Sequence, residues 1–175
     1  MQARTIALVG LFLGCGGLLK GAGPDIEYKL FASTDGRYKG LAAGPVKTET
    51  TDVKTPGGTR KLTLDSVELP GGIIFMVTYV DVPDDVAKAD PGPRLDRVRD
   101  ANKGADGKLI SEKSTTIGEE KWPTREVVIE KPTGFVRNRI VAAGPRLYQV
   151  MIQGPKEFVE SKEADRFFDA FEVTK

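Results

Sequence analysis

The chain of 175 residues contains no histidine and a single cysteine. Without histidine it has no Ser-His-Asp or Cys-His nucleophile, no imidazole ligand for zinc, and no histidine general base for catalysis near neutral pH. A lone cysteine cannot form a disulfide within the chain. Any enzyme built on this sequence therefore depends on carboxylates, Lys, Tyr, Ser or Thr.

An excess of charge of one sign is also missing. The 26 basic side chains nearly balance the 25 acidic ones, which leaves a net charge of +1. Nucleic-acid binding requires a basic face that displaces counterions, and interspersed charges of both signs provide none. We therefore expect no nucleic-acid partner.

The N-terminal apolar run, residues 6–13, is too short to span a membrane. A spanning helix needs about 20 apolar residues, more than twice this number. Arg4 precedes the run and small residues follow it, which is the order of an export signal. The sequence therefore predicts that the protein is exported.

The cysteine lies directly behind this run, at the end of the segment "LFLGC". The segment resembles a bacterial lipoprotein signal, in which the cysteine is acylated and becomes the new N-terminus, although Phe12 replaces the usual aliphatic residue. Two alternatives are cleavage near Ala22, which discards Cys15, and a retained segment that buries Cys15 as a small apolar residue. We expect a signal peptide at residues 1–14, a lipid on Cys15, a Gly-rich tether over residues 15–25 and one domain over residues 26–175.

Short apolar or alternating runs separated by Gly and Pro predict mostly strands. Leu62, Leu64 and Ser66 share one face of a half-buried strand. Residues 73–79 are apolar on both faces, which favours a central strand. Asp35-Gly36 and residues 55–58 are predicted turns. The predicted strands are residues 27–33, 37–43, 48–54, 60–69, 73–79, 108–117, 124–130, 134–143 and 146–154.

Two segments have the apolar spacing of helices, residues 93–103 and residues 161–171. In the second, Ala164, Phe167, Phe168 and Phe171 recur at helical spacing, and Ser161 is a plausible N-cap. The predicted fold class is α+β, with an antiparallel sheet flanked by helices on both faces.

The register of the last hairpin decides where two arginines point. A two-residue turn at Gly144-Pro145 places Arg137 and Arg139 on one face with Val150 and Ile152, whereas a three-residue turn moves them to the other face. A shift of one residue exchanges the faces of a strand. We predict the three-residue turn, because it keeps the arginines off the core. A tight hairpin at residues 131–134 places Glu126 opposite Arg139.

The order of these elements, with "FASTDGRYKG", "AGPVK", "VKTPGG", "FMVTYVD" and "ADRFFDAFEV", resembles the PsbP/Mog1-like α-β-α sandwich family, which includes small bacterial envelope lipoproteins. The likeness covers residues 26–175. It implies a docking or accessory role on membrane complexes and brings no catalytic residues. Gly40 and Ala43 stand where the family usually has larger side chains, so we expect looser packing at that edge.

Three groups of residues are candidate sites. Asp81, Asp84 and Asp85 are possible Ca²⁺ ligands, but they lack EF-hand spacing, and a solvated acidic loop is the simpler interpretation. Trp122 either covers the edge of the core or contacts a partner. Arg125, Arg137, Arg139 and Arg146 either form cross-strand ion pairs or gather on the outward face and bind an anion or a lipid headgroup.

The sequence thus predicts a non-catalytic, cofactor-free domain in the bacterial cell envelope. The lipid on Cys15 would hold it at the membrane, and Trp122, Arg125, Arg137 and Arg139 would contact an unidentified protein partner. The first alternative is a periplasmic hydrolase that uses carboxylates, with or without the assistance of a metal ion. The second is a structural envelope protein. A hydrolase requires converging carboxylates in a deep pocket, whereas a docking domain requires an exposed aromatic or apolar patch.

Overall fold

A computed structural model describes residues 26–55 and 58–174. The predicted signal peptide, Cys15 and the predicted tether lie outside these residues, as do Pro56 and Gly57 of the predicted turn at residues 55–58. The domain predicted to begin at Ile26 is described almost completely.

Strands dominate the described chain, and the predicted strands are confirmed with small shifts of their ends. The strands are β1 (Lys29–Ser33), β2 (Tyr38–Ala42), β3 (Lys47–Thr55), β4 (Gly58–Leu69), β5 (Ile73–Asp81), β6 (Lys108–Ile117), β7 (Trp122–Lys131), β8 (Gly134–Ala143), β9 (Arg146–Gly154) and β10 (Glu172–Val173). The helices are α1 (Asp84–Lys88), α2 (Gly92–Lys103), α3 (Lys156–Val159) and α4 (Lys162–Asp169).

The strands form two sheets with antiparallel pairing throughout. The main sheet has the order β3-β4-β5-β9-β8-β7-β6, and the small sheet has the order β1-β2-β10. The predicted central strand is confirmed, since β5 lies between β4 and β9. Its second face is only partly covered, because Ile74 and Met76 remain half-buried.

The larger apolar cluster lies between the main sheet, the small sheet and the helices α3 and α4. Phe75 of β5 contacts Phe167 of α4, with ring centroids 5.0 Å apart. The predicted cap of α4 is confirmed, since Ser161 Oγ accepts a hydrogen bond of 3.2 Å from the Ala164 N–H. Burial of each such phenylalanine contributes about 1.5–3 kcal/mol to folding.

A smaller cluster connects α2 to the main sheet. Leu95 of α2 packs with Ile140 of β8 and Leu147 of β9. The neighbour of Ile140 in β8, Val141, belongs to the larger cluster. Since successive side chains of a strand point to opposite faces, the two clusters occupy opposite sides of β8.

A buried carboxylate joins the small sheet to the main sheet. Asp65 of β4 is 5% exposed. It accepts hydrogen bonds from the Tyr38 hydroxyl at 2.6 Å and the Thr48 hydroxyl at 2.5 Å. The buried face of β4 is therefore formed by Thr63, Asp65 and Val67 rather than by Leu62, Leu64 and Ser66, which stay half-buried. The face of β4 that is buried is thus the one whose Asp65 side chain forms hydrogen bonds, and not the one that carries the two leucines.

The predicted turn at Asp35-Gly36 is confirmed between β1 and β2. A Cβ atom on Gly36 would lie 2.7 Å from the Tyr38 ring and 2.6 Å from Ser33 Oγ, so the turn requires glycine at this position. The Gly36 carbonyl also accepts a hydrogen bond of 2.7 Å from the Tyr148 hydroxyl of β9. This bond is a second link between the two sheets.

The predicted three-residue turn between β8 and β9 is wrong. Ala143 pairs with Arg146, so the turn contains only Gly144 and Pro145. Gly144 has φ +59. A type II′ hairpin turn needs a positive φ at its first central residue and a negative φ at its second. Pro145 supplies the negative φ, because the proline ring fixes this angle. Arg137 and Arg139 consequently pair with Ile152 and Val150 and share their face.

Both edge strands of the main sheet are polar. In β3, "KTETTDVKT", most side chains are exposed, and β6, "KLISEKSTTI", is similar. Lys47, Lys54, Lys108 and Lys113 lie along these edges. The apolar residues of the main sheet are therefore concentrated in its inner strands.

A small cavity of about 30 Å³ lies between β2, the β4–β5 hairpin and α4. Gly40 and Ala42 line it on the side of the small sheet, and Phe75 and Phe167 line it on the other. The expectation of looser packing where Gly40 stands agrees with this cavity.

We predict that Tyr38→Phe destabilises the domain, because the buried Asp65 carboxylate loses a donor. Loss of one partner of a buried charged hydrogen bond costs about 1.5–3 kcal/mol. Urea unfolding measures this loss. Tyr28→Phe is the control, since its hydroxyl donates to the Glu163 main-chain carbonyl at 2.8 Å and its loss should cost only about 0.5–1.5 kcal/mol. Equal losses for the two variants would contradict the role given to Asp65.

Candidate functional site

The three candidate calcium ligands do not converge. Asp81 ends β5, whereas Asp84 and Asp85 begin α1. The Asp81 carboxylate accepts two hydrogen bonds from Arg146, at 2.6 Å from Nε and 2.7 Å from Nη2. Within the described ranges, no group of three or more Asp, Glu, His or Cys residues is arranged to hold a metal ion.

Arg146 also lies over the Tyr79 ring, 4.9 Å from its centroid, and donates to the Asp35 carbonyl. The hydrogen bond from Arg146 holds the pKa of Asp81 below its usual value, although partial burial opposes this shift. Asp81 is therefore the counter-ion of an arginine that connects the β8–β9 turn, β5 and the β1–β2 turn.

Arg125 lies on the α2 side of the sheet, where it contacts Glu112 of β6 and, at 2.7 Å, Asp96 of α2. Arg99 of α2 joins the same group through Glu112 at 2.8 Å. Burial raises the pKa of the Glu112 carboxyl, but the hydrogen bonds from Arg125 and Arg99 outweigh burial, and the net pKa is lowered. This network holds α2 against the strands β6 and β7.

Arg137 and Arg139 lie on the opposite face, beneath α4. The predicted pairing of Arg139 with Glu126 is confirmed, with 2.7 Å between Nε and Oε1. Arg139 is 9% exposed and also donates to the Phe168 carbonyl. Arg137 lies 4.4 Å from the Phe168 ring centroid and binds Asp165 at 2.7 Å.

The expectation that the four arginines gather on one outward face is therefore wrong. Arg125 points to one side of the main sheet, Arg137 and Arg139 point to the other, and each has an intramolecular partner. Contacts from α4 allow the guanidinium groups of Arg137 and Arg139 to lie among apolar side chains. Of the two interpretations offered by the sequence, the cross-strand ion pair describes Arg139.

Trp122 lies half-buried at the start of β7, against the edge of the larger cluster. It lines a groove of about 690 Å³ between the β6–β7 turn and the end of the chain. Four acidic residues line this groove, and none of its described lining residues is basic, but Lys39 binds Glu172 at 3.0 Å and Arg139 lies 3.7 Å from Asp169. The acidic residues are Glu119, Glu120, Asp169 and Glu172.

The β6–β7 turn gives the groove its shape. Gly118 and Lys121 both have positive φ, +69 and +52, and the Lys121 N–H donates to the Gly118 carbonyl at 3.2 Å. The turn places Glu119 and Glu120 beside Trp122. Sequence reasoning identified Trp122 but missed the acidic groove, because Asp169 and Glu172 come from a distant part of the chain.

None of the described helices is long and apolar enough to cross a membrane.

No protein-family model matches the chain, and no curated protein matches it. Its structure is similar to the solution structure of cyanobacterial PsbP (CyanoP) from Synechocystis sp. PCC 6803, with a TM-score of 0.53 at 16% sequence identity. The likeness covers 91% of this chain and 97% of that one. The chain therefore has a PsbP-like fold, as the sequence resemblance implied, and at this identity the likeness establishes the fold alone.

We predict that Asp81→Asn destabilises the domain slightly at pH 7, by the ~0.2–1 kcal/mol of an exposed ion pair. Because the folded-state pKa of Asp81 is lowered, the pair contributes stability above the unfolded pKa of about 3.9 and loses it as pH falls through the folded value. The difference between wild type and variant in urea unfolding should therefore shrink below about pH 4. In an Arg146→Met background this pH-dependent effect should be much smaller, since only the weaker influence of Arg37 still lowers the pKa of Asp81.

Proposed function

We propose that the protein is a non-catalytic, cofactor-free binding domain of the bacterial cell envelope, anchored by a lipid on Cys15, that docks a protein partner in the groove beside Trp122. The observation that carries the proposal is the half-buried, solitary tryptophan in an acidic groove. The PsbP-like fold agrees with a binding role, since the family resemblance implies docking and brings no catalytic residues.

The export signal and the "LFLGC" segment support the anchor. Acyl chains contribute about 0.8 kcal/mol per buried CH₂ group, so more than one chain is needed for stable attachment. An anchored domain also has a high effective concentration toward other molecules of the same membrane. Anchoring thus favours a partner that is itself a membrane component.

We also infer that the helices cover both faces of the main sheet, as in an α-β-α sandwich. Contacts of α2 with β7 and β8, and of α3 with β8 and β9, support this layering. The polar groove beside Trp122 then lies at the edge of the α3–α4 layer, where a partner can reach it.

The residues that line the groove indicate the charge and polarity of the partner segment. Its acidic lining favours a basic segment even though Lys39 and Arg139 already contact Glu172 and Asp169, and the Trp122 ring offers an apolar surface and a π face to a lysine or arginine. Trp is among the residues that most often dominate binding energy at interfaces. We therefore propose an extended segment that carries Lys or Arg next to an apolar residue.

The carboxylate-based hydrolase is less well supported. Glu112 and Glu126 both border a depression on the surface of β6 and β7, but their carboxylates point to opposite sides of the main sheet. Glu112 accepts from Arg99, and Glu126 accepts from Arg139. Both carboxylates are thus engaged as counter-ions. The second alternative, a purely structural envelope protein, does not explain the acidic groove beside Trp122.

We predict that wild-type protein sediments with membranes and that Cys15→Ala appears in the aqueous fraction. Mass spectrometry of the mature N-terminus should find Cys15 as the first residue, carrying acyl chains. An unmodified chain that begins after Gly23, or equal partition of wild type and Cys15→Ala, would end the anchor proposal.

The groove is tested by a photo-reactive amino acid placed at Glu119 in cells. We expect a discrete crosslink to one membrane-associated protein, and we expect Trp122→Ala to reduce it about tenfold or more, since an interface hot spot contributes 2 kcal/mol or more. The same photo-reactive group at Lys113, an exposed position of β6 outside the groove, is the control. Equal crosslinking from both positions, or none from Glu119, would contradict docking at the groove.

A further inference from the structure

A second cleft lies on the other side of the molecule, between the main sheet and the helices α1 and α2. Its volume is about 620 Å³, within the range of about 300–1,000 Å³ typical of small-molecule sites. The walls are mainly aliphatic, and three arginines line it. The residues used below are Val82, Val86, Val98 and Leu147 on the walls, with Arg60, Arg94 and Arg97 as the arginines.

Arg94 is the unusual member of this set. It is 6% exposed, yet its Nε and Nη1 atoms are buried without a hydrogen-bond partner among the described residues. The other interior arginine, Arg139, has a carboxylate and a carbonyl as partners. A buried charge without a partner is costly, so a partner that can accept hydrogen bonds from Arg94 would stabilise it.

The surroundings of Arg94 increase this cost. Burial and the neighbouring Arg97 both lower the pKa of Arg94. The one acidic residue that lines the cleft, Asp81, has both oxygens bound to Arg146. The described lining therefore contains no free carboxylate that could neutralise Arg94.

We propose that the cleft binds a small organic anion, whose carboxylate or phosphate meets the Arg94 guanidinium and whose apolar portion contacts Val82, Val86, Val98 and Leu147. The planar guanidinium can bind either acid group through two parallel hydrogen bonds. Several rotatable bonds allow the Arg94 side chain to turn its free N–H groups toward the ligand. Arg97, which is exposed, adds a second positive charge at the mouth of the cleft.

A polar group closes one side of the cleft. Asn102 of α2 donates to Gln149 Oε1 at 2.7 Å, and Asn138 donates to the same oxygen at 3.1 Å. These bonds fix the Gln149 side chain beside Leu147. The cleft therefore combines one charged end, aliphatic walls and an oriented amide, the arrangement by which pockets select small ligands.

This inference does not depend on the lipid anchor or on the groove beside Trp122. Failure of crosslinking from Glu119 would not bear on the proposal for the cleft. A cleft that binds no ligand would not bear on the docking proposal. The two sites can therefore be tested separately on the same protein.

The test uses nuclear magnetic resonance of the full domain with three probes: hexanoate, hexanol and inorganic phosphate. The reporter is the Arg94 Nε–H signal, since this atom is buried in the free protein. We expect hexanoate to shift the Arg94 Nε–H signal in a saturable way. Hexanol, which lacks the charge, and phosphate, which lacks the chain, should each bind at least about tenfold more weakly, a loss of 1.4 kcal/mol or more.

Arg94→Met should weaken hexanoate binding by about tenfold or more, the effect of a lost charge-assisted hydrogen bond. It should leave the urea midpoint unchanged or higher, since it removes a buried charge that lacks a partner. Arg166→Met, at an exposed position of α4 on the other side of the main sheet, should leave hexanoate binding unchanged.

Three results would overturn the proposal: no saturable shift with hexanoate, binding of hexanol or phosphate as tight as that of hexanoate, or a marked loss of stability in Arg94→Met. The last result would mean that Arg94 stabilises the fold through a structural partner, such as bound water, and does not form a ligand-binding site.

Discussion

Four rings hold the two sheets of this protein together. Tyr38 of β2 contacts Tyr79 and Tyr148 of the main sheet, and Phe171 lies 5.5 Å from both Tyr38 and Tyr148 between ring centroids. The tyrosine hydroxyls extend these contacts, since Tyr38 binds Asp65 and Tyr148 binds the Gly36 carbonyl. Edge-to-face contacts and buried hydrogen bonds together fix the small sheet in one orientation. The placement of α4, and so of the groove beside Trp122, follows from that orientation.

The two proposed binding regions lie on different parts of this scaffold. The groove beside Trp122 is acidic and is completed by residues that follow α4, whereas the cleft around Arg94 is basic and lies beneath α2. The main sheet separates them. A protein partner and a small anion can therefore bind at the same time, without competing for the same side chains.

Much of the fold could be predicted from the sequence because its signals are local. Turn residues and alternating patterns located the strands, and phenylalanine spacing with Ser161 located α4. The errors share one cause. Arg139 and Asp65 are buried because distant residues, Phe168 and Tyr38, supply their partners, and a pattern of charged and apolar residues cannot show such partners. For the same reason the sequence located Trp122 but neither the acidic groove nor the orphaned guanidinium of Arg94.

The polar edges of the main sheet have a consequence for contacts between molecules. An open sheet edge is a template for strand addition from a neighbouring molecule. Here β3 and β6 carry lysines and other exposed polar side chains along both edges, and such side chains disfavour strand addition. Even at high local concentration, sheet-to-sheet joining along these two edges is therefore disfavoured.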